Sequence, residues 1–520
     1  MGFQDRRIRR AVAWAIIILG VCEWNAYGAT YYVDATGGDD GNNGTSPGTA
    51  WKTVARVNSA MSSLAAGDSV LFKRGETWAT GTGAALRVSK TGLTDYLTFG
   101  AYGTGDKPTI SHDPSFDGYG PITIVAHNVD YTHIDNLDAR QTAGVGAAIA
   151  CATIGTDHFW VSDCNATSVA SNGIVVRYCD TFIIEGCHVA GCANSGIAIM
   201  GSETSKAANG IIRNNILHGV GNDGITIHPD DDDYDVGANF LLENNVGWNF
   251  REQAFDVGGG SNVTIRNCES YNSRDGMAIG AFVDTILIDR CYIHDNDNLG
   301  ITFGRTHNLT IRYSIIENSG RHSIGIGDTS GGSAACTDTA IYNCVIAHVS
   351  DGCPIMVYPG TSGLRVKNNI VISTYGSPTG FVGYWNVTYA GTGSDFDSNI
   401  WWQEGRSPFN LGQNSRFVDP RMIDLLNGDY HLQPTSPAID SGLDVGLTRD
   451  FDGRVVPQNL APDAGAFEYP ALQTYTLAVT ASGGSVSRSP DKVSYAYGEV
   501  VTLQAAADTG YTFSNWSGDA

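Results

Sequence analysis

The stretch "QAFDVGGGSNVTIRNCESYNSRDGMAIGAFVDTILIDRC", residues 253–291, contains the same pair of short apolar segments twice. "QAFDV" is followed by "VTIRNC", and the pair returns as "DGMAI" and "ILIDRC". Within each segment apolar residues alternate with other residues, which is the pattern of a β-strand. Self-similarity at a short period is the sequence signature of a repeat fold. The stretch therefore predicts stacked coils built from β-strands.

The pair recurs along much of the chain. The first segment begins at Gly173, Gly196, Gly224, Ala254, Gly276, Gly300, Ser323 and Pro354, at intervals of 22 to 31 residues. The second segment places Cys164, Cys187, Asn215, Asn245, Cys268, Cys291, Ser314, Cys344 and Asn369 in one column. Coils of a parallel β-helix stack about 4.8 Å apart, so like residues form ladders and Asn side chains bond along the stack. The sequence predicts an all-β fold, a parallel β-helix.

Three of the intervals are long because those coils carry insertions. These are "SETSKAANG" after Met200, "PDDDDYDVGA" after His228 and "DTSGGSAACTDT" after Gly327. Insertions in solenoids often lie on one face and line the binding surface. Asp230 and Asp232 in the second insertion are therefore candidate cation ligands.

The chain ends differ from the repeats. "AWKTVARVNSAMSSL", residues 50–64, puts Val54, Val57, Met61 and Leu64 on one stripe of a helix. Because terminal repeats need caps, we expect this helix to cover the end of the solenoid.

The first residues have the pattern of an export signal. Basic "RRIRR" is followed by apolar "AVAWAIIILGV" and a small-residue exit near Gly28. The apolar run is shorter than the roughly 20 residues of a membrane span. We expect cleavage of residues 1–28 and a secreted or cell-surface protein with no membrane span.

Charge limits the partners. The formal net charge is −23, whereas nucleic-acid binding requires a basic face. An acidic polysaccharide would need local Arg, Lys or bound cations. We expect a polysaccharide substrate, a monomer and no nucleic-acid partner.

The column cysteines allow two states. Neighbouring pairs such as Cys164/Cys187 and Cys268/Cys291 would have Cα separations within the disulfide range of about 4.4–6.8 Å. Vertical disulfides and buried free thiols both fit the sequence.

Segments at both ends carry a family resemblance. "TYYVDATGGDDGNNGTSPGTAWKTV" (30–54) and "AGDSVLFKRGETW" (66–78) resemble the N-terminal segment of bacterial secreted right-handed parallel β-helix proteins, including family 9 pectate lyases. "DYHLQPTSPAIDSG" with "RDFDGRVVPQNLAPDAGAFEY", within 429–469, resembles the segment that closes many such proteins. The resemblance covers roughly residues 30 to 470. It implies a cap with first coils at 29–112, a right-handed β-helix at 113–410 and a closing segment at 411–470.

The last residues resemble a different family. Residues 473–520, with "GYTFSNWSGD", are similar to the bacterial surface repeats related to internalin B-repeats. The resemblance implies a small β-domain. Because such repeats usually continue past this motif, we expect the repeat to be incomplete here.

Outward positions of the central coils gather the candidate catalytic groups. In a Gly-Ile-x-Ile-x strand the x side chains point outward, which places Asp256 level with Thr226 and diagonal to His228. In the next outward column Gly258, Gly280, Gly304 and Gly327 would form a flat floor, or would be turn residues with positive φ, which we favour. The candidate catalytic residues are His228, Asp256, Arg274 and Arg305. The candidate substrate-binding residues are Arg251, His307, Arg321, His322 and Tyr358.

Resemblance to family 9 lyases implies calcium-assisted β-elimination from a uronate-containing, pectate-like polysaccharide. The family's calcium-binding pattern corresponds to "EQAFD", in which Glu252 and Asp256 are retained and Gln253 and Ala254 depart. Asp223 can stand for the remaining acidic ligand. The family's lysine base falls on Ala278 or Thr302 and is missing. A lyase here would need His228, Arg274 or Arg305 as its base.

Other functions fit the same residues. Asp223, Glu252, Asp256 and Asp275 could supply the two carboxylates of a glycoside hydrolase, at separations of about 5–9.5 Å. A uronate C5-epimerase begins with removal of the same proton as a lyase. The C-terminal repeat favours a third function, that of a non-catalytic surface or adhesion protein.

Overall fold

The fold was analysed in a computed structural model. It describes residues 28–80, 86–112, 122–142, 146–152, 156–202, 204–229, 236–280, 283–327, 336–348, 352–358, 360–373, 382–383, 393–403, 412–470, 474–496 and 499–518.

Three long parallel sheets form the body of the molecule. Sheet 1 contains Thr30–Val33, Ser69–Lys73, Leu97–Tyr102, Thr132–Asp135, Asp157–Ser162, Asp180–Glu185, Ala208–Arg213, Ala238–Glu243, Gly260–Arg266, Val283–Asp289, Thr306–Arg312, Ala340–Tyr342, Arg365–Lys367 and Asp395–Asp397. Sheet 2 contains Thr77–Thr80, Thr109–His112, Asp138–Gln141, Asn165–Thr167, His188–Ala190, Ile216–His218, Val246–Trp248, Glu269–Tyr271, Tyr292–His294, Ile315–Glu317, Val345–His348, Ile370–Ser373, Ile400–Gln403 and Arg416–Phe417. Sheet 3 contains Leu86–Val88, Ile122–Ala126, Ala147–Cys151, Asn172–Arg177, Ile197–Gly201, Ile225–Pro229, Gln253–Val257, Asp275–Ile279, Leu299–Phe303, His322–Ile326, Cys353–Val357 and Val382–Gly383.

Each central coil visits the sheets in the order 3, 1, 2. One coil runs through Ile225–Pro229, Ala238–Glu243 and Val246–Trp248, and each strand pairs in parallel with its counterpart in the next coil. The predicted parallel β-helix is confirmed. The sequence repeat indicated two strands per coil, but each coil contains three. The sheet 2 strands are mostly only three or four residues long, which is too short for a recognisable sequence pattern.

Residues with positive φ, in the left-handed helical region, turn the chain from sheet 1 into sheet 2. Asn214, Asn244 and Asn267 occupy this position in successive coils, with φ of 56°, 54° and 51°. Asn tolerates this region better than most side chains do. The recurring Asn therefore fixes one corner of the coil.

The residue after this corner points inward and forms the predicted ladder. The Asn215 backbone N–H donates to Asn245 Oδ1 at 3.1 Å, and the Cys187 N–H donates to Asn215 Oδ1 at 2.9 Å. The Asn245 side chain returns a bond to the Ile212 carbonyl at 2.8 Å. These amides are buried, so the ladder supplies partners to backbone groups that water cannot reach.

The cysteines of the described residues are all buried and free, so of the two predicted states the free thiol is the one observed. All of these except Cys353 pack with Ile, Val, Leu and Phe side chains from all three sheets in one continuous core. Burial raises the pKa of Cys187 and Cys344 to about 12, which keeps these thiols neutral.

A short helix, Val54–Ala60, continued by the 3-10 turn Met61–Ser63, follows the first strand. The predicted stripe of Val54, Val57, Met61 and Leu64 is buried. Asn58 Oδ1 accepts the backbone N–H of Arg87, in the edge strand Leu86–Val88, at 2.9 Å. The helix thereby protects an exposed sheet edge, as a cap must. Another 3-10 turn, Pro47–Thr49, precedes it.

The chain from 418 to 469 leaves the last coil and packs on the outer side of sheet 2. It contains the antiparallel pair Met422–Asp424 and Asp429–Leu432 and the 3-10 turn Leu425–Asn427. Buried side chains from this segment pack with outward residues of sheet 2 strands in a second hydrophobic cluster: Ile315, Val345, Ile370, Ile400, Met422, Tyr430, Leu432 and Phe467.

Residues 474–518 form two short antiparallel pairs. Thr474–Tyr475 pairs with Tyr495–Ala496, and Gly484–Ser489 pairs with Thr502–Ala507. Across the described ranges, helices are too short or too polar to cross a membrane.

Candidate active site

The candidate site lies on the outward side of sheet 3 in the central coils. Thr226 pairs with Asp256, Asp256 with Ala278, and Ala278 with Thr302. This is the column that strand alternation predicted, and Asp256 is level with Thr226 as expected.

Asp256 is the most perturbed group of the site. Its Oδ2 lies 3.5 Å from the Thr226 hydroxyl, which donates to it. Burial, followed by the negative charge of Asp223, raises the pKa of Asp256 to about 7, while His228 and the Thr226 bond act in the opposite direction. At neutral pH a large fraction of Asp256 is therefore protonated and can donate a proton.

Two further carboxylates surround Asp256. Asp223 is buried and accepts the Gln253 backbone N–H at 3.1 Å. Burial raises the pKa of Asp223, and the charge of Glu252 acts in the same direction. Glu252 is more open than Asp223. The three side chains form one carboxylate cluster in which like charges disfavour full ionisation.

His228 is held in one orientation. Its Nδ1 lies 3.0 Å from the Pro229 carbonyl oxygen. Because a carbonyl only accepts hydrogen bonds, Nδ1 carries the hydrogen, and the neutral imidazole then has its lone pair on Nε2. Nε2 is the nitrogen that can accept a proton.

Gly258 makes room for this imidazole. A Cβ at Gly258 would lie 2.3 Å from His228 Cδ2 and 2.7 Å from Nε2. Gly258 and Gly280 do not have positive φ, whereas Gly327 does, at 103°. The favoured turn interpretation is therefore wrong for Gly258 and Gly280 and correct for Gly327. Close approach of the His228 ring explains the glycine at 258.

Asp275 has a structural role instead of a catalytic one. It is 2% exposed, and its Oδ1 accepts bonds from Asn298 Nδ2 at 2.7 Å and from the Leu299 backbone N–H at 2.9 Å. Its Oδ2 accepts Gln253 Nε2 at 3.2 Å and lies 3.6 Å from Arg274 Nε. Arg274 itself is exposed beside the site.

The structure does not bring all the predicted substrate-binding residues together. His307 lies in Thr306–Arg312 of sheet 1, with Nδ1 2.6 Å from Thr337 Oγ1, so it is not on the sheet 3 surface. Arg305 is exposed in the turn before that strand, at φ 56°. Arg305 thus lies between a sheet 3 strand and a sheet 1 strand, at the side of sheet 3 that adjoins sheet 1.

His322 is also misplaced in the prediction. It is 5% exposed and its Nδ1 accepts the Cys353 backbone N–H at 3.2 Å. Burial, followed by the charge of Arg321, lowers the pKa of His322 to about 4. His322 is thus a neutral interior residue. Arg251 and Arg321 are exposed and Tyr358 is half-buried.

The calcium site stays a prediction. No group of three His, Cys, Asp or Glu side chains among the described residues is arranged to hold a metal ion. Calcium takes six to eight oxygen ligands, so Asp223, Glu252 and Asp256 would need further oxygen ligands to hold it. Asp230 and Asp232 lie outside the described residues, and their assignment as ligands remains a prediction.

Comparisons with known proteins agree with the fold. The family described as "Right handed beta helix region" matches residues 112–231 and 233–399, and a "Divergent InlB B-repeat domain" matches residues 475–520. A lacto-N-biosidase of Bifidobacterium longum subsp. longum is 41% identical over 88 residues, which are 16% of this chain and 5% of that protein. The chain thus spans only a small part of that relative.

Two solved structures illustrate the likeness in fold. Pectate lyase Pel9A is 15% identical with a TM-score of 0.43, covering 85% of this chain and 97% of that one. XylC in complex with xylose is 12% identical with a TM-score of 0.49, covering 85% and 99%. The family match extends over more than half of the sequence, and the chain belongs to the right-handed β-helix family.

Proposed function

We propose that this chain is a carbohydrate-active enzyme that hydrolyses a glycosidic bond, with Asp256 as the general acid. The observation that supports this most is the pKa of Asp256, raised to about 7 by burial and by Asp223. A carboxylic acid kept protonated near neutral pH beside an ionised carboxylate is the arrangement that glycoside hydrolysis needs.

The residues divide into distinct roles. Protonated Asp256 donates its proton to the glycosidic oxygen as the bond to the sugar carbon breaks. Glu252, the more open carboxylate, acts on the other side of that carbon, either as the base that activates an attacking water or as the nucleophile of a covalent intermediate that water then hydrolyses. Asp223 is buried and touches no substrate. Its charge raises the pKa of Asp256, so it is a positioning residue.

Charge at the catalytic column favours a neutral sugar there. The site concentrates three carboxylates on a chain of net charge −23, and a uronate polymer would add further negative charge. A relative named a lacto-N-biosidase supports a carbohydrate substrate.

β-Elimination from a uronate is the second candidate, and the orientation of His228 favours it. Nδ1 is engaged by the Pro229 carbonyl, so Nε2 can remove the C5 proton of a uronate, the step that also begins epimerisation. The predicted calcium ion would neutralise the uronate carboxylate. Exposed Arg274, beside the site, can supply positive charge for the same role.

A product assay separates the two reactions. The protein is incubated with neutral glycans and with uronate polysaccharides, with added calcium or with a chelator. New reducing ends on neutral glycans without the absorbance of an unsaturated product support hydrolysis. That absorbance on uronates supports elimination. Its loss on addition of the chelator supports a role for calcium in the reaction. Inactivity on all substrates contradicts both and favours a non-catalytic surface protein.

We also propose that residues 1–28 are an export signal and that the protein acts outside the cell. The basic and apolar residues of the N-terminus support this. N-terminal sequencing of protein recovered from the culture medium tests it. A full-length intracellular product would contradict it.

A further inference from the structure

A cavity of about 200 Å³ lies where two sheet 1 strands end against the segment that packs on sheet 2. Its lining consists of Asp289, Arg290, Arg312, Tyr313 and residues 446–449, and we call it the arginine pocket. Sheet 3, which carries the candidate active site, contributes no lining residue.

The arginine pocket is positive in a negative molecule. Arg290 Nη2 lies 2.9 Å from Asp289 Oδ2, and Arg312 Nε lies 2.9 Å from Asp289 Oδ1. The third arginine, Arg449, donates Nη1 to the Gly453 carbonyl at 2.8 Å. Three guanidinium groups thus line the pocket with one carboxylate. Among the lining side chains positive charge exceeds negative charge by two, while buried Asp450 and Glu468 lie close enough to act on Tyr313.

Two donors of the pocket have no partner among the described residues. The Arg290 Nε–H and the Tyr313 hydroxyl are both buried without a hydrogen bond there, and Tyr313 is 1% exposed. Burial, followed by the charges of Glu468 and Asp450, raises the pKa of Tyr313, so its hydroxyl keeps its hydrogen. Buried donors are nearly always satisfied in native proteins. Two of them beside one cavity indicate a ligand that accepts hydrogen bonds.

The residue types at these two corner positions differ from those in most other coils. Arg290 and Tyr313 occupy the corner that Asn214, Asn244, Asn267 and Asn343 fill in other coils, with φ of 53° and 45°. A left-handed conformation is costly for bulky residues and persists where the surroundings enforce it, often at functional sites. In these two successive coils the corner holds Arg290 and Tyr313, which are larger hydrogen-bond donors, instead of Asn, which tolerates the left-handed conformation.

We propose that the arginine pocket binds one oxyanion group, the carboxylate or sulfate of an acidic sugar. Guanidinium groups bind both through paired, charge-assisted hydrogen bonds. The volume is below the roughly 300 Å³ of a pocket for a drug-sized ligand, so it admits one charged sugar residue and not a chain. The pocket would hold a glycan at a point remote from the catalytic column. This inference does not depend on the proposed hydrolysis.

Calorimetric titration of the full chain tests the pocket. The probes are sodium glucuronate, inorganic sulfate and glucose. We expect saturable binding of glucuronate, sulfate or both, and none of glucose. Binding of glucuronate but not sulfate would identify a uronate site. Binding of sulfate but not glucuronate would identify a sulfate-ester site.

Variants locate the binding. Arg449→Gln and Tyr313→Phe should each weaken anion binding at least about tenfold. Arg365→Gln changes a half-buried arginine of sheet 1 outside the pocket, and this matched control should bind normally. Asp256→Asn should also bind normally, which separates this test from that of the active site. Absence of anion binding, equal binding of glucose, or unchanged binding in both pocket variants would overturn the proposal.

Discussion

At the residue scale, the protonation of Asp256 links stability to pH. Its pKa in the folded chain is about 7, against an ordinary value of 3.8. Between these values the folded state holds a proton that the unfolded state has lost, so the contribution of Asp256 to stability is fully present below about pH 4 and is lost as pH rises through 7. Each unit of pKa difference corresponds to about 1.4 kcal/mol. Asp256→Asn removes this component, and thermal unfolding from pH 4 to 8 should show a shallower decline than in the natural protein.

Asp297→Asn is the control, because Asp297 is an exposed carboxylate of a neighbouring coil. It should leave the pH dependence of unfolding unchanged. Equal slopes for Asp256→Asn and the natural protein would show that Asp256 ionises normally. Catalysis gives a second readout. Asp256→Asn should lose about 10²–10⁴-fold in kcat. In the natural protein kcat/KM should fall above pH 7 as Asp256 loses its proton.

Gly258 tests whether His228 takes part in the reaction. In Gly258→Ala the new Cβ would displace the imidazole, whose Cδ2 lies 2.3 Å from the Cβ position. Displacement by about 1 Å can cost roughly 10²-fold in rate. Stability should change little, because the ring can rotate away. A matched control is Gly280→Ala, whose Cβ would meet the Gly258 Cα at 3.4 Å. Assays of activity and thermal unfolding compare the two, and full activity in Gly258→Ala would exclude a role for His228.

Alternation along single strands predicted part of this site correctly. The Thr226 and Asp256 pairing follows from the period of two in a β-strand. The position of His322 beside charged residues just before an outward strand indicated a place at the site, but its side chain turns into the interior beside Cys353. The contact between Gly258 and His228 joins neighbouring coils and depends on a ring orientation. Periodicity contains no information on such an orientation.

At the element scale, the inward amides connect one coil to the next. Asn245 Oδ1 accepts both the backbone N–H and the Nδ2 of Asn215, at 3.1 and 3.0 Å, and Asn245 Nδ2 donates to the Ile212 carbonyl. Asn245→Ala leaves these buried groups unpaired, at about 1–3 kcal/mol for each. Denaturant unfolding should show a loss of several kcal/mol.

Asn194→Ala is the matched control for the ladder. Asn194 also bonds to amides of both neighbouring coils, Asn172 at 3.0 Å and Asn222 at 2.9 Å, but it is exposed. Water can replace these bonds, so the expected loss is within about 0.5 kcal/mol. Similar losses in both variants would mean that burial does not determine the strength of the ladder.

The elements could be predicted to different extents. Recurrent apolar pairs located sheets 1 and 3, and the Asn and Cys column located the corner that precedes sheet 2. Strands such as Val246–Trp248 have only three residues, which is too few for a pattern of alternation. They form because the neighbouring coil offers a strand to pair with, and that neighbour is distant in sequence.

At the scale of the whole molecule, outward apolar residues of sheet 2 require a cover. Ile315, Val345 and Ile370 lie buried beneath the segment that follows the last coil. Tyr430 in that segment and Tyr292 of sheet 2 both donate to the Glu317 carboxylate. The segment is therefore part of the body of the β-helix. Its resemblance to closing segments indicated its presence but not the surface that it covers.

Residues 475–520 should behave differently from that cover. The hydrogen bonds described for 474–518 are made within this segment, as between Arg488 and the Leu477 carbonyl at 3.0 Å. Its apolar side chains Val493, Val500 and Tyr511 are 92%, 83% and 62% exposed. A chain ending at Pro470 should therefore unfold at the same temperature as the full protein and cleave soluble oligosaccharides at the same rate. A chain ending at Phe417, which lacks the cover of sheet 2, should aggregate or unfold at a lower temperature. A large loss of stability on removal of 475–520 alone would show that this repeat supports the β-helix, and equal stability of all three chains would show that the cover of sheet 2 contributes nothing.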